Sequence, residues 1–265
     1  MDRSIMVQIK RISILGSGWL GLPLAECFIA QGYQVKLSTR SATRLPELQS
    51  VHAEAHSVDI DQLSNCRDFL QSECLIINIT SKNIAGFVQF IKQIEQSPVK
   101  QVLFVSSTSV YKNSEKLVTE DEGAESQESA LLQIEQLFMA NKHFVGSVVR
   151  LSGLIGGSRH PGRFFRQGKV VAQPEAPVNL IHRDDCLGII LAIIEQAAWG
   201  EVFNGCADSH PSKREFYTHT RKLLDLPAPE FSESSEKTYK IVSNEKVKQR
   251  LSYRFIHADL MAINF

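Results

Sequence analysis

Lys10–Arg40, KRISILGSGWLGLPLAECFIAQGYQVKLSTR, is the stretch from which the rest of the chain is read. Ile12, Ile14 and Leu15 form an apolar, β-branched run with the length of a buried strand. Gly16-Ser17-Gly18-Trp19-Leu20-Gly21 follows without a break and fits G-x-G-x-x-G. Leu20, Leu24 and Phe28, with Ala25 and Ile29 beside them, mark one face of a helix. Gly32 closes that helix, and Tyr33–Leu37 reads as a second strand. Gly16 makes the tight turn, Gly18 lets backbone approach a pyrophosphate, and Gly21 lets the helix lie close to the strand. The first N–H groups of the helix lack intrahelical partners and face an anion, so Pro23 in that turn breaks nothing. A lone glycine pattern is weak, but strand, glycines, helix and second strand in register point to a dinucleotide site. The bland alternative is an ordinary strand-to-helix turn with spare glycines.

The end of the second strand bears on which dinucleotide. An NAD site usually carries Asp or Glu there, about 20 residues past the glycines, to hold the ribose 2′-OH. Here Thr39 stands at that point, Arg40 follows, and Arg44 lies one helical turn further on. A guanidinium in place of a carboxylate suits a 2′-phosphate, so NADP is expected in preference to NAD.

Composition narrows the remaining classes. Lysine plus arginine balances aspartate plus glutamate at 29 each over 265 residues, so no global field favours nucleic acid or an anionic membrane surface. Five cysteines (Cys27, Cys66, Cys74, Cys186, Cys206) lack paired spacing and read as reduced thiols. MDRSIMVQIK has no apolar core of roughly 7–15 residues, and no run approaches the roughly 20 needed to span a bilayer. A soluble cytoplasmic protein is expected, with a small-molecule substrate and neither nucleic acid nor membrane as partner.

Strand–helix alternation continues beyond the opening unit. His56–Asp59, Cys74–Ile79 (CLIINI), Gln101–Val105 (QVLFV) and Ser147–Leu151 (SVVRL) read as further strands. Phe87, Phe90, Ile91 and Ile94 mark one intervening helix, and Leu131–Phe138 lies in another. Near-continuous apolar strands alternating with helices give an α/β fold, a parallel sheet covered on both faces. Ligands of such sheets lie beyond the carboxyl ends of the strands, which brings Asn78, Ile79, Thr80 and Ser106-Ser107 toward a cofactor. Asp59 is within reach of an adenine amino group, or is a solvated loop residue. The cofactor-binding set is therefore Gly16, Ser17, Gly18, Trp19, Leu20, Gly21, Thr39, Arg40, Asp59, Asn78, Ile79 and Thr80.

Past residue 152 the texture changes. Glycine and arginine crowd residues 153–168 (GLIGGSRHPGRFFRQG). Asn179–His182 leads into a helix that Asp184 or Asp185 could cap, Val202–Asn204 is a short strand, and Phe216–Leu224 is another helix. Residues 232–237 are polar and uninformative, and no repeat or low-complexity tract is present.

With these pieces in view the chain resembles the extended short-chain dehydrogenase/reductase superfamily, its sugar-nucleotide epimerase/dehydratase group. The likeness runs from Gly16 through SSTSVY (Ser106–Tyr111), GLIGGSRHPGRFF and NLIHRDD, and looks closest to an atypical branch with the GWLG turn and RHPGRFF loop. It implies a Rossmann-type doubly wound sheet over residues 1–155 that binds NAD(P), and a smaller substrate-side region over 156–265, interleaved with it. It implies an oxidoreductase or epimerase acting on a small polar or sugar-derived substrate, and leaves room for a homodimer.

Catalysis departs from that pattern. The superfamily pairs Tyr-x-x-x-Lys on one helix face, the tyrosine exchanging a proton with the substrate hydroxyl as hydride moves. Aligning Glu135 with the superfamily's acidic residue puts Gln127 at the tyrosine position and Leu131 at the lysine position. Glutamine cannot ionise, and leucine cannot hold a ribose. Ser107 matches the superfamily's catalytic Ser/Thr, or else simply ends a strand. Tyr111 reads as a packed aromatic rather than a displaced catalyst. His160 and Arg163 are the substrate-side candidates, arginine for a carboxylate or phosphate and histidine as a group titrating near neutrality. His182 reads as a hydrogen-bonded core histidine. His160, His182, His210, Cys186 and Cys206 lack metal-ligand spacing, so no metal is expected. An enzyme with a non-standard site and a catalytically silent NADP-dependent sensor or scaffold both fit this set.

Overall fold

The structure, a computed structural model, describes residues 9–165, 169–233 and 238–265. Residues 1–8, the end of the arginine-rich loop and part of the polar 232–237 stretch therefore lie outside the described residues.

In chain order the first elements are β1 (Arg11–Leu15), α1 (Gly21–Ala30), β2 (Gln34–Thr39), α2 (Leu45–Ser50), β3 (Glu54–Ser57), β4 (Cys74–Ile77), α3 (Ile84–Glu95) and β5 (Gln101–Ser107). They are followed by β6 (Leu117–Val118), α4 (Ala130–Met139), β7 (Val145–Leu151), β8 (Gly153–Ile155), β9 (Leu180–His182) and α5 (Arg183–Glu195). The chain closes with β10 (Val202–Gly205), α6 (Lys213–Lys222), β11 (Ile241–Val242) and α7 (Glu245–Arg250). One seven-stranded sheet runs β10-β7-β5-β4-β1-β2-β3. β1 pairs in parallel with both β2 and β4, β2 with β3, and β4 with β5. The strand order thus reverses at β1, and such a switch point opens a crevice at the carboxyl ends of β1 and β4. The expected α/β, Rossmann-type sheet is the one observed.

Several boundaries shift for local reasons. β3 covers Glu54–Ser57 rather than reaching Asp59, because the Asp59 carboxylate turns back to accept the Asp61 N–H at 2.9 Å and caps a short 3₁₀ turn. α4 begins at Ala130 with Ser129 as its cap, so Gln127 lies ahead of the helix and is exposed. α5 is capped by His182, not by Asp184 or Asp185, which fall inside its first turn. α6 starts earlier than Phe216, at Lys213, because Ser212 and Glu215 form a reciprocal capping box.

The chain divides into two compact units. One holds the residues up to Ser106 together with Gln127–Val149 and Ala197–Val202; the other holds Ser107–Ser126, Arg150–Gln196 and Phe203–Phe265. The division is therefore not a cut near residue 155. The chain passes between the two units more than once. In the first unit Phe104 stacks on Phe138 at 5.4 Å, and Phe87 meets both edge-on at 5.8 and 5.9 Å. All three are fully buried, each contributing about 1.5–3 kcal/mol of hydrophobic stabilisation. In the second, Ile155, Val171, Leu180, Phe216 and Leu260 form a separate core.

Candidate functional site

In the first unit the carboxyl ends of β1, β2 and β4 and the turns after them enclose a cavity of about 430 Å³. Gly16, Ser17, Gly18, Thr39, Arg40, Asn78, Ile79 and Thr80 line it. Trp19, Leu20 and Gly21 stand behind the lining in the turn and helix start, and Asp59 does not reach the wall, its carboxylate being spent on its cap. Ser38, Ser41, Arg44, Asp61 and Ser81 complete the polar lining. Only Arg44 of these carries a sequence signal.

The glycines can be tested one by one. Gly16 has φ +102°, and a Cβ there would lie 2.4 Å from the Asn78 carbonyl oxygen, where two turns cross. A Cβ on Gly21 would lie 1.9 Å from the Gly16 carbonyl oxygen, so helix and turn touch backbone to backbone. Gly18 differs: a Cβ there meets no protein atom within 4 Å, and its φ is not left-handed. The protein itself does not require glycine at 18, but a ligand approaching the backbone from the cavity would. The Ser38 hydroxyl accepts the Gly16 N–H at 3.1 Å and fixes the turn. The Ser17 hydroxyl is buried with no hydrogen-bond partner among the described residues, a donor left for a ligand oxygen. These features fit a pyrophosphate at the start of α1.

The two arginines part company. Arg44 donates to the Ser17 carbonyl at 3.1 Å and to both Glu47 carboxylate oxygens at 2.8 and 3.0 Å, so it ties the glycine turn to α2. Arg40 has its side chain 72% exposed, with a 4.0 Å ion pair to Asp61. Its guanidinium is the one on the cavity rim able to turn toward a ligand phosphate.

The remaining candidates belong to the second unit. Ser107 caps a 3₁₀ turn, its oxygen accepting the Ser109 N–H at 3.1 Å, which leaves the hydroxyl proton to be donated. Tyr111 is buried; its hydroxyl donates to the Asn204 side-chain oxygen at 2.9 Å and accepts from Arg150 at 2.7 Å. Burial pushes its pKa up to about 12, so it is no general base near neutrality. His160 caps the Pro161–Arg163 turn, with Nδ1 accepting the Gly162 N–H at 3.0 Å. Its proton then sits on Nε2, which makes the neutral ring a donor at that atom. Burial, and then the charge of Arg163, lower its pKa. Arg163 is exposed one turn away. Burial raises the pKa of Cys66 to about 11 and of Cys206 to about 12, so these thiols pack rather than react.

Gln127 and Leu131, which the resemblance puts at the tyrosine and lysine positions, lie as follows. Gln127 is exposed ahead of α4, and Leu131 packs against the apolar core. Neither could exchange a proton. Glu135 is buried and accepts a hydrogen bond from the Ser106 hydroxyl.

No protein-family profile matches the sequence. Protein YeeZ of Escherichia coli K12 is 27% identical over 268 residues, covering 95% of this chain and 97% of YeeZ. A putative NAD-dependent epimerase/dehydratase from Methylobacillus flagellatus superposes with TM-score 0.77 at 23% identity, covering 95% of this chain and 94% of that one. UDP-glucuronic acid 4-epimerase from Bacillus cereus, solved with NAD, gives 0.76 at 17% identity over 95% and 94%. This is the epimerase/dehydratase fold. Human epimerase family protein SDR39U1, solved with NADPH, shares it at TM-score 0.69 and 17% identity, over 95% of this chain and 97% of that one. Proteins of this epimerase/dehydratase fold have thus been solved with either nicotinamide dinucleotide. No helix among the described residues is long and apolar enough to cross a membrane.

Proposed function

We propose that the protein binds NADP(H) in the cavity of its first unit and acts as an epimerase/dehydratase-like oxidoreductase on a small polar, sugar-derived substrate in the cytoplasm. The observation that carries the reading is Gly18, which lines the cavity and whose Cβ position has no other protein atom within 4 Å, leaving the backbone open to a ligand's close approach. Ser17 and the free N–H groups of α1 would hold the pyrophosphate, and Arg40 with Thr39 and Ser41 the 2′-phosphate. When bound, the nicotinamide supplies hydride transfer. Ser107 would donate its hydroxyl proton to the substrate oxygen, while His160 through Nε2–H and Arg163 would bind the substrate's polar groups. The sugar-derived substrate rests on the likeness to the UDP-glucuronic acid 4-epimerase.

Calorimetric titration with NADPH and NADH tests the cofactor half. NADPH should bind more tightly, and absence of binding by either would overturn the reading. A second reading, a dinucleotide-dependent sensor without turnover, is favoured by one observation: no proton-transferring side chain stands at Gln127 or Leu131. Tight NADPH binding with no nicotinamide absorbance change across a panel of sugar nucleotides would select it.

A further inference from the structure

His182 and His257 are 75 residues apart in sequence, and the second unit brings their rings to a centroid separation of 3.8 Å, tilted by 46°. Asp184 stands against both: its Oδ2 lies 3.4 Å from His182 Nδ1 and 3.3 Å from His257 Nε2. One ligand atom from each residue lies within 4.8 Å of the others. Donors held about 2.1 Å from a tetrahedral metal ion are about 3.4 Å apart. Two of the three spacings already have that value, and the third lies within 4.8 Å.

The surroundings hold both rings in place. β8 and β9 pair with Ile155 opposite His182. The next residue, Gly156, has φ +94°, and a Cβ on it would lie 2.2 Å from His182 Nε2. The ring is thus walled on its Nε2 side, with Nδ1 turned toward Asp184. On the other side the fully buried Asp185 carboxylate accepts the backbone N–H groups of Ile256 at 2.7 Å and His257 at 3.0 Å, and the Tyr253 hydroxyl at 3.0 Å. That buried carboxylate pins the segment carrying His257, as outer partners of metal ligands do.

We infer that His182, Asp184 and His257 form a binding site for a divalent metal ion of the zinc class, open on the Asp184 side to water. Two imidazoles and a carboxylate are the donor set that zinc and its first-row neighbours take. The Asp184 side chain is 45% exposed and leaves room for the remaining ligands. Binding displaces one long hydrogen bond, from the Asp184 N–H to His182 Nδ1 at 3.3 Å. Nothing in this site depends on the dinucleotide.

The test uses the full chain stripped with a chelator and titrated with Zn²⁺ against a chromophoric competitor, and with Co²⁺ to read its visible d–d absorption. One equivalent should bind and raise the melting temperature. His257→Ala and Asp184→Asn should each weaken binding by about 100-fold or more and abolish the cobalt band, since even outer-shell losses cost about 10–100-fold. His182→Asn removes the imidazole while keeping a helix-capping acceptor, so a folded third variant is available should either of the others unfold. No stoichiometric uptake by the wild-type chain overturns the site. So does uptake that persists in the folded variants, which would place the ion on other side chains.

Discussion

Arg150 donates to the Tyr111 hydroxyl at 2.7 Å and lies over the same ring at 4.9 Å, so one buried arginine holds one buried tyrosine by both its edge and its face. The Glu125 carboxylate accepts from that guanidinium at 2.6 Å, and Asn204 accepts from the tyrosine. A tyrosine so enclosed is structural. Tyr111→Phe should lower stability by about 1–3 kcal/mol, the cost of stranding buried polar partners, and leave dinucleotide affinity in place. Denaturant melts with a parallel NADPH titration check both halves.

The same tyrosine gives an alkaline signature. Its folded pKa, about 12, lies above the unfolded value near 10. The hydroxyl therefore contributes stability in full below about pH 10 and loses it as pH rises toward about 12. Tyr217, raised to about 12 by burial, acts in the same direction. Stability should fall steeply over that window, less so in Tyr111→Phe. Urea melts at graded pH measure it.

At the acid end the histidines decide. Burial lowers the pKa values of His160, His182 and His210. Folding favours their neutral forms, so the stability they contribute is present above about pH 6.5 and is lost as pH falls through the folded values. Stability should therefore decline below about pH 6.5. The decline should be shallower in His210→Gln, followed by thermal melts.

The glycine turn separates fold from ligand. Gly21→Ala forces a Cβ to within 1.9 Å of a carbonyl oxygen, and should lower the melting temperature by roughly 2–10 °C. Gly18→Val puts its Cβ where no other protein atom lies within 4 Å beyond its chain neighbours, and should melt with the wild type while losing dinucleotide binding. Unchanged NADPH affinity in Gly18→Val would remove the central claim about the cavity.

Arg40 and Arg44 should behave differently in spite of their shared cavity. Arg40→Ala should narrow the gap between NADPH and NADH by about 1–3 kcal/mol, the worth of a charged hydrogen bond. Arg44→Ala loosens the tie between the Ser17 carbonyl and Glu47, so it should weaken both dinucleotides alike. Calorimetry with the two cofactors on both variants distinguishes the roles.

The sequence by itself determined the strand–turn–helix–strand unit from Lys10 to Arg40, the α/β class, and most of the cavity wall, because each is written in neighbouring residues. Glycines sit where backbones touch, apolar residues recur at the helix or strand period, and strand ends carry the small polar residues that line a crevice. Tertiary structure alone decided what depends on neighbours distant in the chain or on competition for one hydrogen bond. Asp59 faced two uses, and the Asp61 N–H claimed it for a cap, which left Asp61 on the cavity wall. His160 carried a titratable ring, and the Gly162 N–H fixed its tautomer. His182 showed no ligand spacing because its partner, His257, comes 75 residues later and is delivered by the buried Asp185 carboxylate. Local periodicity encodes an element and its face; which side chains then meet is set by packing, which no short window of sequence contains.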